Sequence, residues 1–221
     1  MVEVATSLLN VDEENIVHIL YDLETAKSDY FHIDVMDGKF VEDNTIEKMR
    51  KYTEYIKQIS NLPIDVHLMV KDIKEHVDNY LAMDVNCISF QVEGCKNENE
   101  VHEIIKHIKD SNCRVGIAIN PKTNIEEIYE YVPYIHKVIV MTVEAGKGGQ
   151  ELIPEMIDKI FELNKFIYEN GYDIDIEVDG GINGINAKDV TDAGANILVA
   201  GSYIINLNNY AEAIKILKNN K

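Results

Sequence analysis

The sequence predicts an α/β fold, a single (β/α)8 barrel over residues 1–221, and three observations predict it. Short β-branched runs alternate with longer amphipathic segments from one end of the chain to the other. There are eight such runs, and several are apolar at successive positions, the pattern of a parallel strand buried on both faces. The first run ends in Ser7-Leu8-Leu9-Asn10, without the glycine fingerprint that a doubly wound open sheet carries after its first strand.

In chain order the strands are expected at Val4–Leu8, Tyr30–Asp34, Ile64–Leu68, Cys87–Gln91, Val115–Ile119, Val138–Met141, Ile174–Val178 and Ile197–Ala200. The segments between them carry helical spacing. Glu98–Ser111 places Val101, Ile104, Ile105 and Ile108 on one stripe, and Ile153–Asn170 does the same with Ile157, Ile160, Phe161 and Leu163. Helix and strand are expected to alternate throughout, which with eight strands closes a TIM barrel. A length of 221 residues with 46% hydrophobic composition can bury one such core, and no Pro/Gly/Ser linker divides the chain.

The charge balance narrows the partners. With 21 Lys+Arg against 39 Asp+Glu the formal net charge is -18, which repels nucleic acid and anionic lipid in the absence of a basic cluster. An anionic substrate would be repelled at long range too, so a phosphate site must rest on local donors such as backbone amides. Cys87, Cys95 and Cys113 are too few and too irregularly spaced for a disulfide framework or a thiolate zinc site, and read as reduced thiols. The N-terminal MVEVATSLLN lacks a signal peptide's basic and apolar regions, and no apolar run approaches the roughly 18 residues that span a bilayer. A cytoplasmic protein is expected, with neither membrane nor nucleic acid as partner.

In a barrel the active site lies at the C-terminal ends of the strands, so the polar residues where each apolar run stops are the informative ones. Strand two stops in His32-Ile33-Asp34-Val35-Met36-Asp37-Gly38, and period-two alternation turns His32 and Asp34 to one side. Strand three contributes His67 and strand seven Asp179. Together these form a two-nitrogen, two-oxygen set suited to a divalent metal, with zinc first and iron, manganese or cobalt as alternatives. Strands two and seven lie far apart around the ring, so Asp34 and Asp179 can approach a substrate from opposite faces. Removing a proton α to a ketone leaves an enediolate, which one carboxylate can form and the other can reprotonate with inversion.

The other strand ends read as anion sites. The loop after strand six contains Gly146, Gly148 and Gly149, strand seven runs into Gly180-Gly181, and strand eight ends in Gly201-Ser202. Loops seven and eight with a short extra helix commonly hold phosphate in barrels; tight turns are the alternative use of these glycines.

At these residues the sequence resembles the ribulose-phosphate 3-epimerase family over essentially the whole chain. The carrying motifs are Ser7-Leu8-Leu9, His32-Ile33-Asp34-Val35-Met36-Asp37-Gly38, Asp65-Val66-His67-Leu68-Met69, Gly116-Ile117-Ala118-Ile119-Asn120-Pro121, Gly146-Lys147-Gly148-Gly149-Gln150, Glu177-Val178-Asp179-Gly180-Gly181-Ile182 and Ala200-Gly201-Ser202. The resemblance implies a barrel that interconverts D-ribulose 5-phosphate and D-xylulose 5-phosphate in the pentose phosphate pathway. It further implies His32, Asp34, His67 and Asp179 as metal ligands and Asp34 and Asp179 as the catalytic acid/base pair. Ser7 and His67 would contact substrate, and Met36, Met69 and Met141 would flank the reacting centre, ordinary core packing being the other use of those methionines. It also implies a homo-oligomer, dimer or hexamer.

The chain departs from the family pattern around this set. Gln91-Val92-Glu93 stands where the family usually has His-x-Glu, and Glu144-Ala145-Gly146-Lys147-Gly148-Gly149 replaces Asn-Pro-Gly-Phe-Gly-Gly. Glu42-Asp43 replaces Pro-Asn and Thr6 replaces a proline. Two alternatives follow from these changes. One is epimerisation of the six-carbon D-allulose 6-phosphate, whose 3-epimerase branch resembles Asp29–Asp34 and Val140–Val143. The other is a sugar-phosphate-binding protein with weakened catalysis. A barrel lyase is disfavoured by the lack of an Asp-x-Lys-x-x-Asp strand motif.

Overall fold

In the computed structural model, which describes residues 2–207 and 209–219, eight parallel strands close in sequence order into a barrel. They are β1 (Glu3–Ser7), β2 (Tyr30–Met36), β3 (Ile64–Met69), β4 (Cys87–Gln91), β5 (Arg114–Ile119), β6 (Lys137–Met141), β7 (Asp175–Asp179) and β8 (Ile197–Ala200). Closure is made by β1, which pairs with β2 on one side and β8 on the other. β4 and β8 fall on the expected bounds; the others begin or end one or two residues away.

The helices are α1 (Ile16–Thr25), α2 (Ile46–Ile59), α3 (Ile73–Leu81), α4 (Glu98–Asp110), α5 (Met156–Asn170), α6 (Ala187–Ala193), α7 (Ser202–Ile205) and α8 (Tyr210–Lys218). All but the four-residue α7 bury an apolar stripe. In α4 the stripe is Val101, Ile104, Ile105 and Ile108, and Asn97 starts the helix by accepting from the Glu100 amide at 3.1 Å. In α5 the buried set is Met156, Ile160, Leu163 and Ile167. Phe161, expected on that stripe, is 57% exposed, because the next residue along from Ile160 is turned about 100° around the axis. Gly171 ends α5 in the left-handed region, at φ 68°, and its amide caps the last turn.

Strict alternation fails once. Between β5 and β6 there are only two 3₁₀ turns, Ile125–Ile128 and Val132–Tyr134. Pro133 has no amide hydrogen, and its ring would clash with the carbonyl of Tyr129, so an α-helix begun at Ile125 cannot run on through it.

Two layers result. The layer between barrel and helices is continuous and apolar, and includes Val4, Ile33, Val66, Ile88, Phe90, Ile117, Val138, Val178 and Leu198. The barrel interior is different. Two small apolar clusters, Ala5/Ile197/Val199 and Ala118/Ile139/Met141/Val143, flank buried polar side chains: His32, Asp34, Asp65, His67, Ser89, Gln91, Lys137 and Glu177. No helix among the described residues is long and apolar enough to cross a membrane.

The outer layer should behave as a close-packed core. Phe90→Ala, at a fully buried position, is expected to cost about 3–5 kcal/mol, read from the urea unfolding midpoint and slope.

Candidate active site

The strand pairing sets the site. His32 of β2 lies beside Asp65 of β3 and Asp34 beside His67, while Met141 of β6 lies beside Asp179 of β7. Since alternate residues of each strand enter the barrel, two imidazoles and two carboxylates meet at its C-terminal end. One ligand atom from each of His32, Asp34, His67 and Asp179 lies within 4.8 Å of all the others, a group that can hold a metal ion.

The contacts within the group are long for hydrogen bonds. His32 Nε2 is 3.4 Å from Asp34 Oδ1 and 3.8 Å from Asp179 Oδ2. His67 Nδ1 is 3.6 Å from Asp34 Oδ1 and 3.3 Å from Asp179 Oδ2. Both ring nitrogens are buried and make no hydrogen bond. A buried polar atom without a partner is costly, and a divalent ion at the centre would satisfy both. The residues present therefore fit the metal that the sequence implied.

Electrostatics agree. Burial lowers the pKa of His32, but Asp34, Asp65 and Glu177 outweigh it and the net shift is well upward. Burial works against the His67 imidazolium too, and Asp179 and Asp34 overcome it. Burial alone would raise Asp34; His32 and His67 reverse this and hold its carboxyl well below the usual range. The arrangement draws positive charge to its centre.

Around the four residues a second ring fixes them. His32 Nδ1 is 2.8 Å from Asp65 Oδ2, which accepts its hydrogen and leaves Nε2 facing the centre. Ser7 Oγ donates to Asp34 Oδ2 at 2.7 Å. Gln91 Nε2 lies 3.1 Å from His67 Nε2, while Gln91 Oε1 is buried and unpaired. Turning that amide over lets Oε1 accept from His67 Nε2–H and leaves Nδ1 bare for an ion. Gln91, at the departure from the family pattern, thus contacts His67 directly.

Above the cluster lies a cavity of about 330 Å³, within the range of small-ligand sites. Ser7, Asp34, Met36, Met69, Met141 and Asp179 line its floor, and Gly146, Gly148, Gly149, Gly180, Gly181, Gly201 and Ser202 line the rest. Every residue expected in the site borders this cavity except His32 and His67, which are fully buried beneath it. The three methionines are also nearly fully buried, so their core-packing and cavity-lining uses coincide.

With the geometry in view, comparison with known proteins decides the family. The model of the ribulose-phosphate 3-epimerase family matches residues 3–205. The chain belongs to this family. It is 34% identical to the ribulose-phosphate 3-epimerase of Bacillus subtilis over 222 residues, covering all of both chains. It is 37% identical to that of Methanocaldococcus jannaschii over 218 residues, covering 99% of this chain and 90% of the other. Solved barrels share the architecture at far lower identity. 3-Keto-L-gulonate-6-phosphate decarboxylase from Vibrio cholerae superposes with a TM-score of 0.75 at 12% identity, covering 99% of this chain and 96% of that one. 3-Hexulose-6-phosphate synthase from Salmonella typhimurium gives 0.74, also at 12%, with coverage of 99% and 97%. An epimerase, not a lyase, is the enzyme class of this family member.

Several site residues were not singled out from sequence. Asn10 lines the cavity and donates to Ser202 Oγ at 2.8 Å, tying the loop after β1 to that after β8. Gln150 donates to the carbonyls of Glu144 and Lys147 at 2.8 and 2.9 Å, holding the glycine loop in its turn. Asp37 accepts from the amides of Lys39, Phe40 and Lys71, each at 2.8 Å, and so pins the loop after β2 to the one after β3. Asp65 and Glu177 are two residues before His67 and Asp179, so the same alternation that placed the ligands also placed them inside.

Because both imidazole pKa values are raised, an entering ion displaces protons held more tightly than usual. Ion affinity should therefore fall as pH drops, beginning above the ordinary imidazole value of about 6.5. Co2+ titrations in non-coordinating buffer are expected to show roughly tenfold weaker binding per pH unit for each proton displaced, with matching proton release by pH-stat.

Proposed function

We propose that this chain is a metal-dependent 3-epimerase of a phosphorylated ketose, interconverting D-ribulose 5-phosphate and D-xylulose 5-phosphate. The observation that carries this reading is the convergence of Asp34 from β2 and Asp179 from β7, with β8 and β1 between them, on one group with His32 and His67 beneath a cavity. The names of the full-length relatives support the substrate.

In this reading Asp34 takes the proton from C3 on one face of the ketose and Asp179 returns a proton on the other, the roles exchanging in the reverse direction. Two carboxylates on opposite faces invert the carbon; one alone would remove and return a proton on the same side. When bound, the divalent ion supplies positive charge beside the enediolate oxygens. Ser7 holds Asp34 through Oδ2, leaving Oδ1 toward the imidazoles. Met36, Met69 and Met141 exclude water from the reacting carbon and offer polarisable surface to it. The phosphate lies at the far side, against the backbone of Gly180-Gly181 and Gly201-Ser202, where the first amides of α7 have no partner within the helix. Lys147 lines the same cavity and pairs with Glu42 at 3.4 Å across its mouth, so a positive charge stands at the rim. Gln91 contacts His67 and acts as an orienting group, which favours an active enzyme over a binding protein with weakened catalysis.

Asp34→Asn and Asp179→Asn are each expected to lower kcat by about 10²–10⁴-fold or more. In D2O each variant should place deuterium in the epimer that its remaining carboxylate faces, without forming the other. Near-normal kcat in either ion-loaded variant would refute the two-carboxylate mechanism. The sugar is tested separately, with ribulose 5-phosphate and allulose 6-phosphate offered to ion-replete enzyme. Higher kcat/KM for the pentulose is expected; a preference for the hexulose would reassign the substrate and leave the chemistry standing.

A further inference from the structure

Below the four-ligand group the barrel interior holds a second ionic cluster that the proton transfers do not use. Asp65 Oδ2 and Glu177 Oε1 face His32 Nδ1 at 2.8 and 3.3 Å, and the three residues could by themselves hold an ion. That place already has a cation. Lys137, the first residue of β6, is 4% exposed, and its Nζ donates to Asp65 Oδ1 and, at 2.5 Å, to Glu177 Oε2. The neighbouring strand makes room for it. A Cβ placed on Gly116 would lie 2.8 Å from Lys137 Cγ and 2.3 Å from Ser89 Oγ, so any side chain there would obstruct the lysine stem.

Each carboxylate is thus a bridge, with one oxygen on the lysine and the other toward His32. A carboxylate fixed at one oxygen presents the other in one direction only, and that direction sets the plane of the imidazole. Burial opposes the Lys137 ammonium, but Asp65, Cys87 and Glu177 outweigh it and raise its pKa, so the charge persists. Lys137 does not border the substrate cavity.

We propose that Lys137 is a positioning residue for the metal site: its ammonium locks Asp65 and Glu177, and through them holds His32 with Nε2 turned to Asp34 and Asp179. The inference rests on the metal-site reading given above. Without the lysine, two carboxylates face each other in the interior without a counter-charge, and His32 loses its fixed orientation.

The test compares the full-length wild type with Lys137→Met, loaded with Co2+ and read in two ways that need no turnover. Chelator competition gives ion affinity, and the visible d–d absorption reports ligand geometry. Lys137→Met is expected to bind Co2+ about 10–100-fold more weakly, with a displaced or weakened absorption band. Circular dichroism checks folding. If Lys137→Met does not fold, Lys137→Gln, which keeps an N–H donor at a similar reach, decides the matter with a smaller change in both readouts. Unchanged affinity, or weaker affinity with the wild-type spectrum, overturns the proposal. Wild-type protein that binds no Co2+ overturns the metal-site reading instead.

Discussion

The rest of the site depends on how charge is balanced inside the barrel. Asp34, Asp65 and Glu177 are buried inside the barrel and Asp179 is partly so at its cavity end, and each uncompensated buried ion costs several kcal/mol. In the lower pair one ammonium serves both carboxylates: Lys137 sits on Asp65 and Glu177, and burial together with Asp65 raises the pKa of Glu177. The upper pair faces imidazoles instead. Asp34 and Asp179 stand opposite two ring nitrogens that make no hydrogen bond, in a group that could hold a metal ion. His32 belongs to both levels, with Nδ1 to the lower and Nε2 to the upper. The barrel axis is therefore an electrostatic stack whose two levels are joined at His32.

How legible this was in the sequence differs by layer. The eight strands were readable because a parallel strand buried on both faces leaves a largely apolar run, and Val138–Met141 and Ile197–Ala200 are unbroken examples. His32, Asp34, His67 and Asp179 were readable because they are the polar residues toward the ends of those runs. Lys137 was not, for a physical reason: a lysine at the head of Val138–Met141 reads as the solvated residue before a strand, and only the register that sets it beside Gly116 shows it pointing inward. The missing helix between β5 and β6 was hidden likewise, since Ile125, Ile128 and Val132 keep helical spacing while Pro133 forbids the helix. Phe161 misled in the opposite sense, being apolar and adjacent to the buried stripe yet facing solvent. Asn10 carried no periodic signal, as its role depends on a loop 192 positions away.

The acidity of the chain imposes a second condition. A protein of net charge -18 repels an anion at long range, so any uptake must rest on local donors, of which backbone amides are one kind. Glycine is required for the backbones to come close enough. A Cβ on Gly181, at φ 69°, would lie 2.5 Å from the Leu152 amide nitrogen, and one on Gly146 would lie 2.6 Å from Val41 Cβ. The loops after β2, β6 and β7 therefore meet with little side chain between them, and Thr142 reinforces the junction by donating to the Gly180 carbonyl at 2.5 Å. Main chain therefore makes up much of this part of the rim.

Barrels with TM-scores near 0.75 and 12% identity to this one include a decarboxylase and a synthase, so the architecture alone decides no chemistry. What separates such proteins must lie in the interior residues near the strand ends. A single carboxylate at the rim could take a proton and return it, but inversion needs a second across the substrate, and two carboxylates so close together need a shared proton or positive charge beside them. In this chain Asp34 and Asp179 both face His32 and His67, and on the proposed reading it is these imidazoles that let two bases share one site.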